Sequence, residues 1–273
     1  KAPDVKESTI VTPSPLIRTF SANIPAKKMK VAAYKERLKQ ELQKLSGAND
    51  IDEIEINEKL MKISEHVEHI RQLIDSAFRN RLGRMGINPR ILTPIENIPN
   101  EYSEDRRRVE AILDVFVAET GTFVEAYEKL VEELTFTLFN RLAALKVMEA
   151  HVLHPEIVTK REANGGRSFA HLAWLENNPQ ARSTEAEGLI PFLEEQFSKI
   201  SVEIPLFSTE HPYHLLPTAL ELLAIINAFN DVEKDGQVDE EIWKSDDVLG
   251  WLYESYNNYK KASHKESGDK TEF

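Results

Sequence analysis

The sequence predicts an all-α fold, a bundle of about seven to nine helices with little or no sheet. Three observations favour this fold class. Apolar residues recur at steps of three and four along several long segments, the spacing that lines one face of a helix. Only 10 of the 273 residues are glycine. No segment alternates between apolar and polar residues as a half-buried strand does.

The longest helical segment runs from Gly121 to His151 and contains no proline and no internal glycine. Its apolar residues form two adjacent stripes, one at Phe123, Tyr127, Leu130, Leu134, Leu138, Leu142 and Leu145 and the other at Val131, Phe139, Ala143 and Val147. A helix that is apolar over more than one stripe has to be covered on several sides. We therefore expect this helix to lie in the centre of the bundle.

The first half of the chain contains an arm and then helices. Residues 1–25 contain four prolines and no helical period, which predicts an extended or disordered arm. An N-terminal helical bundle is expected over 26–160. It begins with a basic amphipathic helix over 26–45 and continues with a long helix over 53–82. After a loop that contains prolines, Ser103 is a favourable N-cap for the next helix.

The second half of the chain is predicted to form a second helical lobe over 161–273. Thr184 and Glu187 have the spacing of a capping box, which predicts the beginning of a helix. An apolar helix is expected over 218–229, and an aromatic-rich last helix after residue 245. No segment repeats at a fixed period, which argues against a solenoid.

The formal net charge of −12 is unevenly distributed. Residues 1–45 carry ten Lys/Arg and four Asp/Glu, a local charge of +6, which leaves −18 for the remainder. An acidic body argues against nonspecific binding of nucleic acid over the whole surface, although a local basic patch could still contact DNA.

Two arginine clusters are candidates for such a patch, because the guanidinium fork suits the phosphate backbone. They consist of Arg79, Arg81, Arg84 and Arg90, and of Arg106, Arg107 and Arg108. The alternative is that these arginines pair with the abundant Asp and Glu side chains, which is the more common use of surface charges.

Two patterns resemble metal sites, and each has a simpler explanation. His66 and His69 would share one helix face with Glu65 as a third ligand, but no further ligands cluster near them in the sequence. The segment 231–242 imitates a calcium-binding EF-hand loop. Its twelfth position is Ile242, where a bidentate Glu is needed, so an acidic turn before a helix is the better interpretation. We predict no metal site.

The sequence also lacks the common catalytic motifs. It contains no G-x-G-x-x-G, no P-loop, no G-x-S-x-G and no cysteine, which excludes disulfides and thiol nucleophiles. It also contains no Glu-x-Lys or Gln-x-Lys, so we do not expect a metal-dependent nuclease. No apolar run is long enough to cross a bilayer and no signal peptide is visible, so we expect a cytoplasmic location without membrane association. Because the chain begins with Lys1, we expect a fragment of a longer protein.

Two segments carry a resemblance to a known family. The segment LTFTLFNRLAALKVMEA includes Phe139, Asn140, Arg141, Ala144, Leu145, Lys146, Met148 and Glu149. The segment VLGWLYESYNNYKK includes Gly250, Trp251, Leu252, Tyr253 and Tyr256. Between them the strings IPF, PLF and YHLLP follow in that order. In this combination the chain, over about residues 121–260, resembles the PglX-type adenine-specific DNA methyltransferases of the BREX and related DISARM phage-defence systems. These enzymes are themselves similar to single-chain restriction–modification enzymes.

The resemblance implies S-adenosylmethionine-dependent methylation of the exocyclic amine of adenine in double-stranded DNA, with the base flipped out of the duplex. In the family, the Gly-Trp-apolar-Tyr helix precedes the methyltransferase domain. This chain lacks the Asn/Asp-Pro-Pro-aromatic motif and a glycine-rich cofactor turn. We therefore expect no catalytic residue and no cofactor in it, and S-adenosylmethionine in the parent protein. The expected partners are the downstream methyltransferase domain, DNA through the parent, and other defence-system proteins.

The motif residues are expected to be structural. Phe139 should pack in the core, and Arg141 should pair with a carboxylate such as Glu133 or one on a neighbouring helix. The aromatic residues Trp251, Tyr253 and Tyr256 should pack the last helix onto the bundle and onto the following domain. The alternative function is a purely structural or protein-interaction helical module without DNA contact.

Overall fold

A computed structural model of the chain describes residues 53–234, 240–244, 250, 252, 253 and 256. The arm over 1–25, the basic helix over 26–45 and the beginning of the last helix lie outside these residues. The described residues are mostly helical, as predicted. The described residues form six α-helices, fewer than the predicted seven to nine.

The α-helices are α1 (Glu53–Arg84), α2 (Ser103–Thr120), α3 (Phe123–Ala150), α4 (Phe169–Asn177), α5 (Leu189–Ser201) and α6 (Ala219–Asp231). Two short strands, β1 (Ile87–Asn88) and β2 (Ile91–Leu92), form an antiparallel hairpin between α1 and α2. The 3₁₀ helices are Ile95–Asn97, Asn100–Tyr102, Glu162–Asn164, Pro179–Ser183, Glu185–Gly188, Pro205–Phe207, Val232–Lys234 and Glu240–Lys244. None of the described helices is long and apolar enough to span a membrane.

Helix α3 lies in the centre of the fold, as its two apolar stripes predict. It packs against α2 and α1, and it also contacts α6 and the 3₁₀ turns at 205–207 and 240–244. Gly121, at φ 84°, ends α2. The Thr122 side chain then caps α3 by accepting a hydrogen bond from the Glu125 amide at 3.2 Å. Helix direction therefore reverses within two residues, and α2 and α3 lie side by side.

Two predicted helix caps are wrong. Ser103 is the first residue of α2, and its side chain forms no cap because a 3₁₀ turn runs directly into the helix. Thr184 donates to the carbonyl oxygen of Ala181 at 2.7 Å, and Gly188 occupies the N-cap position of α5. A capping box does occur at Thr218, the N-cap of α6.

One hydrophobic cluster contains side chains from both predicted lobes, from Ile63 to Val158 and from Leu189 to Tyr256. The described parts of the two lobes therefore share a core. The division of the chain near residue 160 stays a prediction.

Candidate functional site

The α3 segment that carries the family resemblance is mostly buried. The Phe139 ring packs against Phe229 and Tyr256, with centroid separations of 5.6 and 5.4 Å. Met148 belongs to the same hydrophobic cluster, and Asn140 is half-buried. Phe139 and Met148 thus contribute to the packing of α3.

Arg141 ties α3 to the connection between α5 and α6. Its guanidinium donates hydrogen bonds to the carbonyl oxygens of Leu206 at 2.7 Å and Ser208 at 3.0 Å, and to His214 Nδ1 at 2.7 Å. Because arginine can only donate, His214 Nδ1 must accept. Its Nε2 then carries the proton, and it lies 3.1 Å from the Glu194 carboxylate. Burial lowers the pKa of Arg141 to about 10, so the side chain stays charged at neutral pH.

The predicted direct pairing of Arg141 with a carboxylate such as Glu133 is wrong. Two carbonyl oxygens and an imidazole satisfy the buried guanidinium, and the Glu194 carboxylate is reached only through His214. These acceptors meet the rule that buried polar groups are hydrogen-bonded. They lie 65 to 73 residues away from Arg141 in sequence, so spacing along α3 could not reveal them.

Side chains near the C-terminal end of α3 form hydrogen bonds with the segment that follows the helix. The buried Glu149 carboxylate accepts hydrogen bonds from the amides of Ile157, Val158 and Thr159, each at 2.8 Å. Burial raises the pKa of Glu149, although these donors act in the opposite direction. One helical turn earlier, Lys146 donates to Thr159 Oγ1 at 2.9 Å and forms a buried ion pair with Glu233. Polar side chains of α3 thus fix the backbone that leaves it.

A cavity of about 20 Å³ lies beside this network. It is lined by Lys146, Glu149, Ala150, Glu156, Thr159, Arg161, Glu233 and Trp243. This volume suits one water molecule and is far below the several hundred Å³ of a ligand pocket. Among the described residues, none forms a hydrogen bond with the buried Trp243 indole N–H, so a water in the cavity would have a donor to bind. The cavity is therefore not a substrate site.

The last described residues pack on α3. Tyr256 is buried, and its ring lies 5.4 Å from that of Phe136. Burial raises the pKa of Tyr256. Tyr253 is partly exposed and lies 5.9 Å from Phe136. Gly250 is exposed, and Trp251 lies outside the described residues. Two of the aromatic residues of this segment therefore contact the central helix.

No family model, curated protein or solved structure matches this chain.

Most arginines of the first cluster have acidic neighbours. Arg79 bonds Asp75 and Glu128, Arg81 bonds Asp105, and Arg84 lies 4.0 Å from Glu221. Arg90 is exposed and forms no ion pair with a described residue. Contact between this cluster and DNA stays a prediction. Arg90 is the member of the cluster whose guanidinium is least engaged by carboxylates of the described residues.

The three consecutive arginines of the second cluster have three different environments. Arg106 is only 1% exposed and donates to the carbonyl oxygens of Met85 at 2.5 Å and Thr93 at 3.1 Å. Arg108 pairs with Asp105 at 2.9 Å. Arg107 is exposed and has no ion-pair partner within the described ranges. Arg106 precedes Val109 and Leu113 by three and seven positions, and this spacing places it on the buried face of α2.

The suspected metal ligands do not converge. Within the part of the chain that the structure describes, no group of three or more His, Cys, Asp or Glu side chains could hold a metal ion. Glu233, at the third position of the EF-hand-like loop, pairs with Lys146. Ile242, at the twelfth position, is buried in the core. The loop positions 235–239 lie outside the described residues.

Several polar residues stabilise the fold through contacts that were not predicted from the sequence. They include Lys146, Glu194, His214 and Asn230, which bonds the backbone of Val158 and Lys160. Lys146 and Glu149 had a detectable signal, because these two charged residues lie three positions apart in the most apolar part of a helix with two adjacent apolar stripes. Such residues need buried partners.

Proposed function

We propose that this chain is a non-catalytic N-terminal helical domain of an S-adenosylmethionine-dependent, adenine-specific DNA methyltransferase from a phage-defence or restriction–modification system. Its role is to support the catalytic domain of the parent protein and to contact DNA or partner defence proteins. The cofactor binds to the parent's catalytic domain, and the protein acts in the cytoplasm.

One observation supports the proposal above the others: the segments that carry the resemblance lie against one another. Phe139 contacts Tyr256 of the last segment, and Arg141 bonds the connection that contains PLF and YHLLP. Motif segments that keep a fold together should meet in space, whereas chance similarities have no reason to do so. The hydrogen-bonding roles of Arg141 and Glu149 favour a scaffold over an active site.

The coding sequence beyond Phe273 in the parent gene tests the proposal directly. We expect an Asn/Asp-Pro-Pro-aromatic motif and a glycine-rich cofactor turn downstream. A parent protein without them would refute the proposal. Residues 1–273 alone, incubated with DNA and tritiated S-adenosylmethionine, should transfer no methyl group, and measured transfer would refute the non-catalytic role.

A second candidate function is a protein-interaction module that does not contact DNA. The pairing of Arg79, Arg81 and Arg108 with carboxylates favours it, because paired arginines are less available to phosphate. Titration of the chain with duplex DNA at several salt concentrations separates the two functions, since phosphate contacts make binding salt-dependent.

A further inference from the structure

The connection between α4 and α5 contains a left-handed turn. Its residues Ala186, Glu187 and Gly188 have φ values of 47°, 53° and 70°. An L-residue with a side chain is disfavoured in this region about 5- to 30-fold, because its Cβ approaches the backbone. Two of the three residues carry a side chain, so the turn is strained and persists only where its surroundings hold it.

Two side chains on the α4 side of the connection hold the turn through Glu187. Arg167 donates hydrogen bonds to both oxygens of the Glu187 carboxylate, at 2.6 and 2.7 Å. His171 Nε2 lies 2.9 Å from the Glu187 carbonyl oxygen. Because a carbonyl oxygen can only accept, Nε2 carries the proton of the neutral imidazole and Nδ1 carries none. The ion pair thus holds the side chain of Glu187, and the histidine holds its backbone.

The surroundings of His171 suit the neutral ring. The side chain is buried, and its ring stacks on that of Phe192 with a centroid separation of 4.7 Å. Nδ1 has no hydrogen-bond partner within the part of the chain that the structure describes. A second proton would therefore create a buried N–H donor without an acceptor from these residues, and a charge beside an apolar ring.

The charged groups that face His171 come from three segments. Arg167 precedes α4, Lys160 lies in the connection that follows α3, and the Glu187 carboxylate belongs to the turn. Helix α5 presents the apolar ring of Phe192. Burial lowers the pKa of His171, and the two cations act in the same direction, whereas Glu187 raises this pKa. The environment as a whole disfavours the imidazolium.

We propose that His171 is a pH-sensitive latch for the left-handed turn. When the imidazole gains a second proton, the ring moves from its buried position into water and the hydrogen bond to the Glu187 carbonyl oxygen is lost. The strained backbone of the turn then opens, because the remaining ion pair with Arg167 holds only the carboxylate. The turn joins α4 to α5 and also packs on α6. Its opening loosens the contacts of α4 while the core around α3 stays folded, and this device does not depend on the proposed function.

Amide hydrogen exchange of the 1–273 chain, resolved by NMR at pH 7.5 and pH 5.5, tests the latch. The amides of Glu187 and Leu189 report on the turn, because they donate to the carbonyl oxygens of Thr184 and Ala186. An imidazole that titrates at about 6.5 in the open turn and stays neutral in the closed turn makes opening up to about tenfold more frequent at the lower pH. We expect the protection factors of these two amides to fall by about 3- to 10-fold, and those of α3 to stay constant.

Three variants sharpen the test. His171→Gln keeps a donor for the Glu187 carbonyl oxygen but cannot titrate, so its protection factors in the turn should be the same at both pH values. His151→Gln removes an exposed imidazole at the end of α3 and should behave like the wild type. Ala186→Gly relieves the strain at one position and should raise the protection of the turn about 2- to 5-fold at both pH values.

The comparison of the turn with α3 within the wild-type chain stands without any variant. A wild-type fall of less than about twofold, or an equal fall in the amides of α3, would overturn the latch. An undiminished fall in His171→Gln would also overturn it, since another group would then be responsible. Lower protection in Ala186→Gly would refute the role of backbone strain. Circular dichroism melting curves verify that every variant is folded.

Discussion

Replacing Arg141 with methionine removes the charged donor that joins α3 to the connection between α5 and α6. Three acceptors lose their partner: the carbonyl oxygens of Leu206 and Ser208, and His214 Nδ1. An orphaned buried acceptor costs about 1–3 kcal/mol. Methionine also spares the desolvation of a buried guanidinium, which offsets part of this cost. We therefore expect the free energy of unfolding to fall by about 3–5 kcal/mol, in the lower half of the summed cost of three orphaned acceptors.

Urea unfolding of the chain, followed by far-UV circular dichroism, measures this loss through the linear dependence of the free energy on denaturant. Arg141→Lys should recover only part of it, because an ammonium group lacks the planar fork that reaches several acceptors. Lys199→Met is the control, since Lys199 forms an exposed pair with Glu195 and should change the stability by less than about 0.5 kcal/mol. A loss below about 1 kcal/mol for Arg141→Met, or complete recovery by lysine, would refute the reasoning.

Five further substitutions, in three sets, test other parts of the fold. Lys146→Met leaves Glu233 unpaired in a nearly buried position and should lower the free energy of unfolding by about 3 kcal/mol, whereas the double variant with Glu233→Met should recover much of the loss. Gly86→Ala should cost about 2–4 kcal/mol, because the position combines a left-handed backbone with a steric clash; Gly83→Ala, within α1, should be neutral or stabilise by up to about 1 kcal/mol. His171→Gln should reduce the acid sensitivity of the fold, because burial lowers the pKa of His171 and its neutral form stabilises the folded state. Thermal and urea unfolding of each purified variant measure these changes.

The sign of the His171 effect follows from proton linkage. Because the pKa is lower in the folded state, the unfolded chain binds more protons below the ordinary imidazole value of about 6.5. The stabilisation is present above that value and is lost as the pH falls below it. His171→Gln should keep the hydrogen bond that His171 Nε2 donates to the Glu187 carbonyl oxygen at 2.9 Å. Parallel loss of stability by the wild type and His171→Gln between pH 7.5 and 5.5 would contradict the expectation for His171.

For the Lys146–Glu233 ion pair, a Lys146→Met/Glu233→Met variant that is no more stable than Lys146→Met would contradict the expected recovery.

Local sequence patterns predicted the helices better than their boundaries. The two apolar stripes of α3 correctly predicted a central helix, because burial on several sides leaves a periodic pattern. The spacing of Thr184 and Glu187 is the same as that of Thr218 and Glu221, yet only the second pair forms a capping box. At the first pair, Glu187 has φ +53° and pairs with Arg167 instead. The two pairs have the same local pattern, and tertiary contacts determine which of them forms a capping box.

The partners of buried polar side chains could not be predicted for a different reason. Lys146 meets Glu233 across 87 positions of sequence, and any of the chain's many carboxylates would satisfy the same pattern. By contrast, the different environments of Arg106 and Arg107 could have been predicted, because only Arg106 continues the apolar period of α2. Helix register carries information about burial, whereas the choice of partner depends on the complete fold.

The hydrogen bonds between the Glu149 carboxylate and the amides of residues 157–159 affect how this protein unfolds locally. These residues are buried but have no regular secondary structure, and a segment without regular structure usually unfolds locally at little cost. Here the three amides can reach water only if the buried Glu149 carboxylate loses their three hydrogen bonds. Opening of this segment is therefore coupled to fraying of α3, and the segment belongs to the same cooperative unfolding unit as the central helix.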